Sequence, residues 1–263
     1  MNYKINKEQH DEFHQNGHIL LRNVATSEEI GQFQPAISRA SYKYSTETRS
    51  LAERDTYGRA FLQIMNLWRH DEEVKRFVFA KKFAQVAADL LGVERVRLYH
   101  DQALFKEPSG GYTPWHQDQY YWPLDTDKTV TMWMPLVDID ERMGMLTFAS
   151  GSHMQGPIGS IEISDESEEA YDNYIAEKGF PVAKADRMSA GDATFHLGWT
   201  IHSAGGNNSH TKTREVMTII YFADGAKITP PQNPNQANDI AAWMSGKKPG
   251  DIADSFLNPI LNA

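Results

Sequence analysis

The chain of 263 residues contains no cysteine, which excludes disulfide frameworks, zinc-thiolate centres, iron-sulfur clusters and thiol nucleophiles together. Any metal must be held by His, Asp or Glu. No run approaches the roughly 18 apolar residues of a membrane-spanning helix, and the N-terminal stretch MNYKINKEQHDEFHQNGH lacks the apolar core of a signal peptide. A cytoplasmic protein without a membrane partner is expected. Basic residues are in deficit, 26 Lys and Arg against 35 Asp and Glu, giving a net charge of -9 and a pI near 5.6. Nucleic-acid binders usually present a basic face, so a small-molecule substrate is expected and no nucleic acid. The pattern selects no oligomeric state. What is present, 40% hydrophobic and 11% aromatic residues, is ordinary for a folded globular chain.

The first third reads as mainly helical. Asn6 to Asn16 is a short amphipathic pattern with Phe13 inward and Gly17 at the stop. His10, His14 and His18 recur every four residues, but Gly17 interrupts the period, and they read as surface or partly packed histidines. His18 to Val24 is a strand pattern. Thr26-Ser27-Glu28-Glu29 opens a helix over Ser27 to Ser41, with Ile30, Phe33 and Ile37 at helical spacing and Pro35 expected to kink it. Phe61 to Trp68 is mostly apolar with two amides, Gln63 and Asn66. Asp71 to Leu91 reads as two helices ended by Gly92.

From Val93 the period changes to two. Val96 to Phe105, Thr129 to Val137, Met145 to Ala149, Asp192 to Leu197 and Glu215 to Phe222 read as strands between Gly, Pro and Ser-rich turns. Short strands so spaced point to an antiparallel sandwich or barrel. The acidic segment Ser164 to Gly179 is expected to be an exposed helical insertion. The tail with Pro230, Pro231, Pro234, Pro249 and Pro259 is expected to wrap the surface without extending a sheet. One domain results: residues 1–92 as mainly helical support, 93–225 as the β core with an acidic insertion at about 160–180, and 226–263 as a wrapping tail.

The stretch WHQDQYYWPLDTDKTVTMW, Trp115 to Trp133, places His116 and Asp118 two residues apart. In extended chain, residues i and i+2 project to one side about 6 to 7 Å apart, close enough to reach one ion. Two histidines and a carboxylate form the facial triad of non-haem Fe(II) oxygenases, so a second histidine is required. In SAGDATFHLGWTIHSAGG, Ser189 to Gly206, His202 follows a strand pattern and a turn that can return it to the pair; His196 competes, and Asp192 is a possible acid. Arg214 enters the apolar run EVMTIIYF, and its planar fork suits bidentate binding of a carboxylate. No acid nearby is an evident partner.

His-x-Asp, the distal His202 and the following Arg214 together resemble the phytanoyl-CoA dioxygenase (PhyH) family of Fe(II)- and 2-oxoglutarate-dependent oxygenases. DTDKTVTMWMPLVDI, GMLTFASGSH, GDATFHLGWTIHSAG and WMSGKKPGD are similar to that family too, so the resemblance covers most of the chain from roughly Gly17 onward. It implies a fold that is mostly β with α, a double-stranded β-helix (jelly-roll, cupin-like) core flanked by N-terminal helices. It implies His116, Asp118 and His202 as the metal ligands and catalytic centre, and Arg214 as the partner of the distal carboxylate of 2-oxoglutarate. Trp133 matches an aromatic of the cosubstrate pocket; Thr131, on the same strand face, is expected to assist Arg214, and Gln63 or Asn66 to help hold the cosubstrate. Tyr120, Tyr121 and Trp122 are the expected wall of the substrate pocket.

The implied activity is a hydroxylase-type dioxygenase that uses Fe(II), 2-oxoglutarate and O2, oxidises a small organic substrate and releases succinate and CO2. Because Asp118 supplies a carboxylate where halogenating relatives have a small residue, hydroxylation or another oxidation is implied over halogenation. Two other readings stay open on the residues alone: a metal-dependent cupin-type enzyme that does not use 2-oxoglutarate, and a catalytically silent binding protein on the same fold.

Overall fold

In the computed structural model, which describes residues 3–159 and 161–262, the chain opens with helix α1 (Lys7–Asn16), strand β1 (His18–Leu21) and helix α2 (Ser27–Tyr44). Helix α3 (Thr56–Ala60), strand β2 (Leu62–Met65) and helices α4 (Glu72–Val78) and α5 (Lys81–Leu91) follow. Next come strands β3 (Val96–Phe105), β4 (Thr113–His116), β5 (Thr129–Pro135), β6 (Ile139–Asp140) and β7 (Leu146–Ala149), then helix α6 (Asp165–Lys178). Strands β8 (Val182–Lys184), β9 (Arg187–Met188), β10 (Ala193–Leu197), β11 (His202–Ala204) and β12 (Val216–Ala223) precede the last helix, α7 (Pro234–Trp243). The readings above that include Met1, Asn2, Ser160 or Ala263 extend beyond the described residues at those positions.

Antiparallel pairing builds a major sheet in the order β1-β10-β5-β12-β3-β2 and a minor sheet in the order β4-β11-β7-β8, with β6 and β9 as a separate pair. This is a double-stranded β-helix, or jelly roll. Strand alternation assigns the two faces of the major sheet. On β5 and β12, Val130, Met132, Met134, Met217, Ile219 and Tyr221 join the apolar core formed with α1, α2, α4 and α5. Their alternates Thr131, Trp133, Thr218 and Ile220 turn to the other side and line a cavity. The helices thus back the major sheet and leave its inner face free for chemistry.

Local sequence accounts for the helix ends. Asn6 and Gln9 close a capping box at α1, and Gly17 stops it in the left-handed region at φ 78°. Thr26 and Glu29 form the second box. The helix they open runs through Pro35 to Tyr44, so Pro35 does not end it and the segment is longer than its periodicity indicated.

Two expectations are corrected. The acidic segment is not simply exposed: α6 buries Tyr171 and Ile175 against Trp115, Ala149 and Ile201. Its Glu168 carboxylate accepts from the Trp115 N–H at 2.7 Å, and the Ser167 hydroxyl donates to the Trp115 carbonyl at 3.0 Å. These bonds satisfy the free edge of β4, which otherwise presents unpaired backbone groups. The tail also reaches the sheet: Arg97 pairs with Ile260, and the Leu98 N–H donates to the Pro259 carbonyl at 3.0 Å. That contact lies where β3 runs past the end of β2. Among the described residues no helix is long and apolar enough to cross a membrane.

Asp101 on β3 is fully buried toward the helical layer; its Oδ2 accepts from the Leu67 N–H at 3.0 Å, and Oδ1 has no partner. Burial pushes its carboxyl up to about 7, against the backbone N–H groups that favour the charged form. Between about pH 4 and pH 7 the folded chain therefore retains a proton that the unfolded chain has released, and stability falls as pH rises through that window. We predict that the unfolding free energy of wild type relative to Asp101→Asn falls by about 1.4 kcal/mol per pH unit there. Denaturant titrations at four pH values test this, and a difference independent of pH refutes it.

A candidate metal centre and its cavity

His116 ends β4 and His202 begins β11, and the two are direct partners in the antiparallel register. Gln117 is still extended, at φ -119° and ψ 122°, before a 3-10 turn over Asp118–Tyr121 begins. The strand geometry thus holds just far enough to bring Asp118 to the side of His116. One ligand atom from each of His116, Asp118 and His202 lies within 4.8 Å of the others. Asp118 Oδ1 is 3.5 Å from His116 Nε2 and 3.6 Å from His202 Nε2.

The proton positions follow from the acceptors. His116 Nδ1 lies 2.8 Å from the Pro114 carbonyl and His202 Nδ1 lies 3.0 Å from the Thr200 carbonyl. A carbonyl only accepts, so Nδ1–H donates in both rings and both Nε2 lone pairs face Asp118 Oδ1, as a metal-binding pair requires. Burial, and then the neighbouring His116 and His196, hold His202 well below the usual histidine range, which keeps it neutral. Burial opposes ionisation of Asp118, but the surrounding histidines outweigh it and hold the carboxyl well below its usual range. Two imidazoles and one carboxylate with no thiolate fit a divalent non-haem iron.

The second oxygen of Asp118 is turned to the major sheet. Oδ2 accepts from the Thr131 hydroxyl at 2.8 Å and lies 3.2 Å from His196 Nε2. Thr131 was expected to assist Arg214; the register, which pairs it with His196, gives its hydroxyl to Asp118 instead. His196 faces Oδ2 and lies outside the triad, and its buried Nδ1 has no partner. Asp192 is elsewhere, accepting from the Asn23 N–H at 2.9 Å and pairing with Arg22 at 2.8 Å.

Arg214 is 1% exposed. Its Nη1 donates to the Gly144 carbonyl at 2.6 Å, its Nε has no partner, and its guanidinium carbon lies 5.3 Å from the centre of the Trp133 ring. Gly144 has φ 77°, and a Cβ there would meet the Gly205 carbonyl at 2.4 Å, so only glycine can present that carbonyl. Burial lowers Arg214 to about 9, and no carboxylate lies within 4 Å of it among the described residues. Lys106, which the sequence reading passed over, pairs with Arg214 through two backbone bonds of 2.9 Å. Its fully buried Nζ donates to the Gly111 carbonyl and, at 3.4 Å, to Thr113. Burial, and then Arg214, push it well below the usual lysine range.

The triad, Arg214, Trp133 and Thr131 all line one cavity of about 440 Å³. Gln63 lines it too, donating to Gln102 at 3.1 Å and accepting from the Tyr57 hydroxyl at 3.0 Å. Asn66 does not: it is buried in a left-handed turn and accepts from Trp68. Tyr121 and Trp122 line the cavity. Tyr120 is not in its wall and instead offers its carbonyl to Asn233 and Gln236. His100, Tyr57, Glu162 and Asp239 complete the wall; they carry no local motif and are gathered only by the fold.

A family model described as phytanoyl-CoA dioxygenase (PhyH) matches residues 13–216. A Stutzerimonas stutzeri protein named a probable alpha-ketoglutarate-dependent hypophosphite dioxygenase is 23% identical over 229 residues, covering 83% of this chain and 79% of that one. The alpha-ketoglutarate-dependent carbocyclase SnoK from nogalamycin biosynthesis superposes with a TM-score of 0.81 at 22% identity over 98% of this chain and 97% of its own. The epimerase SnoN, solved with Fe3+, alpha-ketoglutarate and nogalamycin RO, does so at 0.76 and 21% identity over 97% and 98%.

Since Thr131 and His196 hold Asp118 Oδ2 while Oδ1 faces the histidines, they should fix a one-oxygen ligand. We predict that Thr131→Val and His196→Phe each weaken Mn(II) binding about tenfold in calorimetric titrations of the chelated protein. Affinities equal to wild type would show that the carboxylate orients itself.

Proposed function

Since the chain belongs to the phytanoyl-CoA dioxygenase family, we propose that it is a non-haem Fe(II)- and 2-oxoglutarate-dependent dioxygenase that hydroxylates or otherwise oxidises a small organic substrate. His116, Asp118 and His202 hold the metal, and Arg214 holds the distal carboxylate of 2-oxoglutarate. The observation that carries the cosubstrate assignment is Arg214 itself. A buried guanidinium with a free N–H and no carboxylate, opening on the cavity of the triad, is costly unless an anion completes it.

Bound iron and 2-oxoglutarate supply the reduction of O2 and the oxidising equivalents for the substrate, with 2-oxoglutarate leaving as succinate and CO2. The chain supplies position and dryness. Gly144 and the Trp133 face fix the guanidinium fork, so a carboxylate meets donors already oriented. Thr131 and His196 occupy Asp118 Oδ2, so Oδ1 would be the oxygen Asp118 offers a metal alongside His116 and His202. The amide chain of Gln63 and Gln102 presents polar groups beside them. A cytoplasmic setting is part of this reading. The relatives act by name on hypophosphite and in nogalamycin biosynthesis, so kinship selects no substrate.

Anaerobic titration with Fe(II) and 2-oxoglutarate, followed by the visible charge-transfer absorption of their chelate, tests the assignment. Wild type should develop the band and His202→Ala should not. Arg214→Ala should need roughly 30-fold more 2-oxoglutarate or beyond, equivalent to about 2 kcal/mol, and Arg214→Lys should recover only part, having charge without the fork. Equal titrations of wild type and Arg214→Ala would sink the cosubstrate role.

A further inference from the structure

The cavity is unevenly charged along its length. Arg214, two residues before β12, and Ile220 on it both line the cavity, six residues apart or about 20 Å if the chain is extended. Ile220 pairs with Thr131 on one side and with His100 on the other, so His100 stands two strands from Thr131, roughly 10 Å across the sheet. On this metal side of the cavity, away from Arg214, lies the space left for a substrate.

A break in strand register shapes that space. Ile220 pairs with His100 and Tyr221 with Leu98, leaving Tyr99 unpaired. The extra residue lets Tyr99 and His100 both serve the cavity side of β3. The Tyr99 hydroxyl donates to Asp239 Oδ2 at 2.6 Å, which sets the carboxylate of α7 in the cavity wall. No cation lies within 4 Å of Asp239 among the described residues. Burial raises it to about 6, leaving it largely ionised at neutral pH. Glu162 is held to the same helix by Asn235, whose amide donates to it at 2.9 Å, and among the described residues it has no cation within 4 Å either.

The charge inventory is lopsided. The wall contains three acids, Asp118, Glu162 and Asp239, and one permanent cation, Arg214. With the cavity loaded as proposed above, the metal dication offsets the cosubstrate dianion, and Asp118 offsets Arg214. Asp239 and Glu162 remain, beside the rings of Tyr57, Tyr121 and Trp122. Carboxylates at a cavity wall backed by aromatic faces attract cations, and among the described residues no Lys or Arg lines this side to pair with an anion.

Resting on the Fe(II)/2-oxoglutarate reading, we propose that the primary substrate is an organic cation, an amine or quaternary ammonium compound, whose positive group sits between Asp239, Glu162 and the aromatic rings. Three molecules of one shape and different charge test it: choline, 3,3-dimethylbutan-1-ol and 3,3-dimethylbutanoate. Each is titrated calorimetrically into the anaerobic protein loaded with Fe(II) and 2-oxoglutarate. Choline should bind wild type at least tenfold more tightly than the alcohol, with the carboxylate weakest. Asp239→Asn should cut the advantage below threefold, and Glu162→Gln, an exposed position that poses no threat to folding, should reduce it severalfold. Choline binding no tighter than the alcohol or the carboxylate, or equally to wild type and both variants, overturns the proposal, as does no choline binding. The chelate absorption is read on the same samples. Its absence overturns the 2-oxoglutarate reading and this inference with it; its presence without a choline preference overturns this inference alone.

Discussion

The two sheets meet at one carboxylate. Asp118 leaves the minor sheet on a short turn, gives one oxygen to His116 and His202 of that sheet, and receives Thr131 and His196 of the major sheet on the other. Oδ2 takes its hydrogen bonds from the major sheet, while Oδ1 and the two Nε2 lone pairs converge from the minor sheet where a cation would complete them, so both sheets must stay in register for the ligand set to form. Slippage of β5 by one residue would replace Thr131 by Val130 or Met132 and send the hydroxyl into the helical core. The register that folds the barrel is therefore also the register that sets the metal ligands.

A second constraint is the pair of cations at the closed side. Arg214 and Lys106 are joined by backbone bonds, both are buried, and each leans on a carbonyl from a glycine, Gly144 or Gly111. A carbonyl dipole softens the cost of burying the guanidinium but does not cancel it, and burial beside Arg214 pushes Lys106 toward its neutral form. Arg214 is left without a carboxylate partner among the described residues, and an anion of the right length would relieve it. A ligand that binds only the folded chain adds its binding energy to stability, so cosubstrate and fold support one another.

Chemistry was legible in this sequence where it sits on strands and illegible where it sits between them. His-x-Asp, the distal histidine and the arginine before an apolar run are recognisable because extended chain fixes the side each residue faces. The same rule put Thr131 and Trp133 on one face, correctly, yet could not say which neighbour the hydroxyl would choose, since the pairing of β5 with β10 is a long-range fact. Tyr120 misled for a related reason: a 3-10 turn follows His116 and Gln117, and alternation no longer predicts direction within it. In α6 Tyr171 and Ile175 stand at helical spacing, but the run of acids pointed to exposure, and the partner that buries them, Trp115, is distant in sequence. Lys106 gave no signal, because a lone lysine at a strand end is ordinarily solvated.

The same division separates the proposed metal and cosubstrate site from the wall facing the substrate space. The residues proposed to hold metal and cosubstrate come from the paired strands and the turn that follows β4, where register leaves little freedom. The wall facing the substrate space draws heavily on pieces outside the sheets: Tyr57 from α3, Glu162 from the segment before α6 and Asp239 from α7. Such segments accept changes of length and charge at small cost to the core. Proteins only 21% or 22% identical to this chain share its architecture across nearly the whole length, which is the outcome expected when strands are held and connections are free. The charge that faces the substrate space thus comes from residues outside the sheets, and the bulge at Tyr99, which ties α7 to the sheet through Asp239, is the point where the free part is anchored to the fixed one.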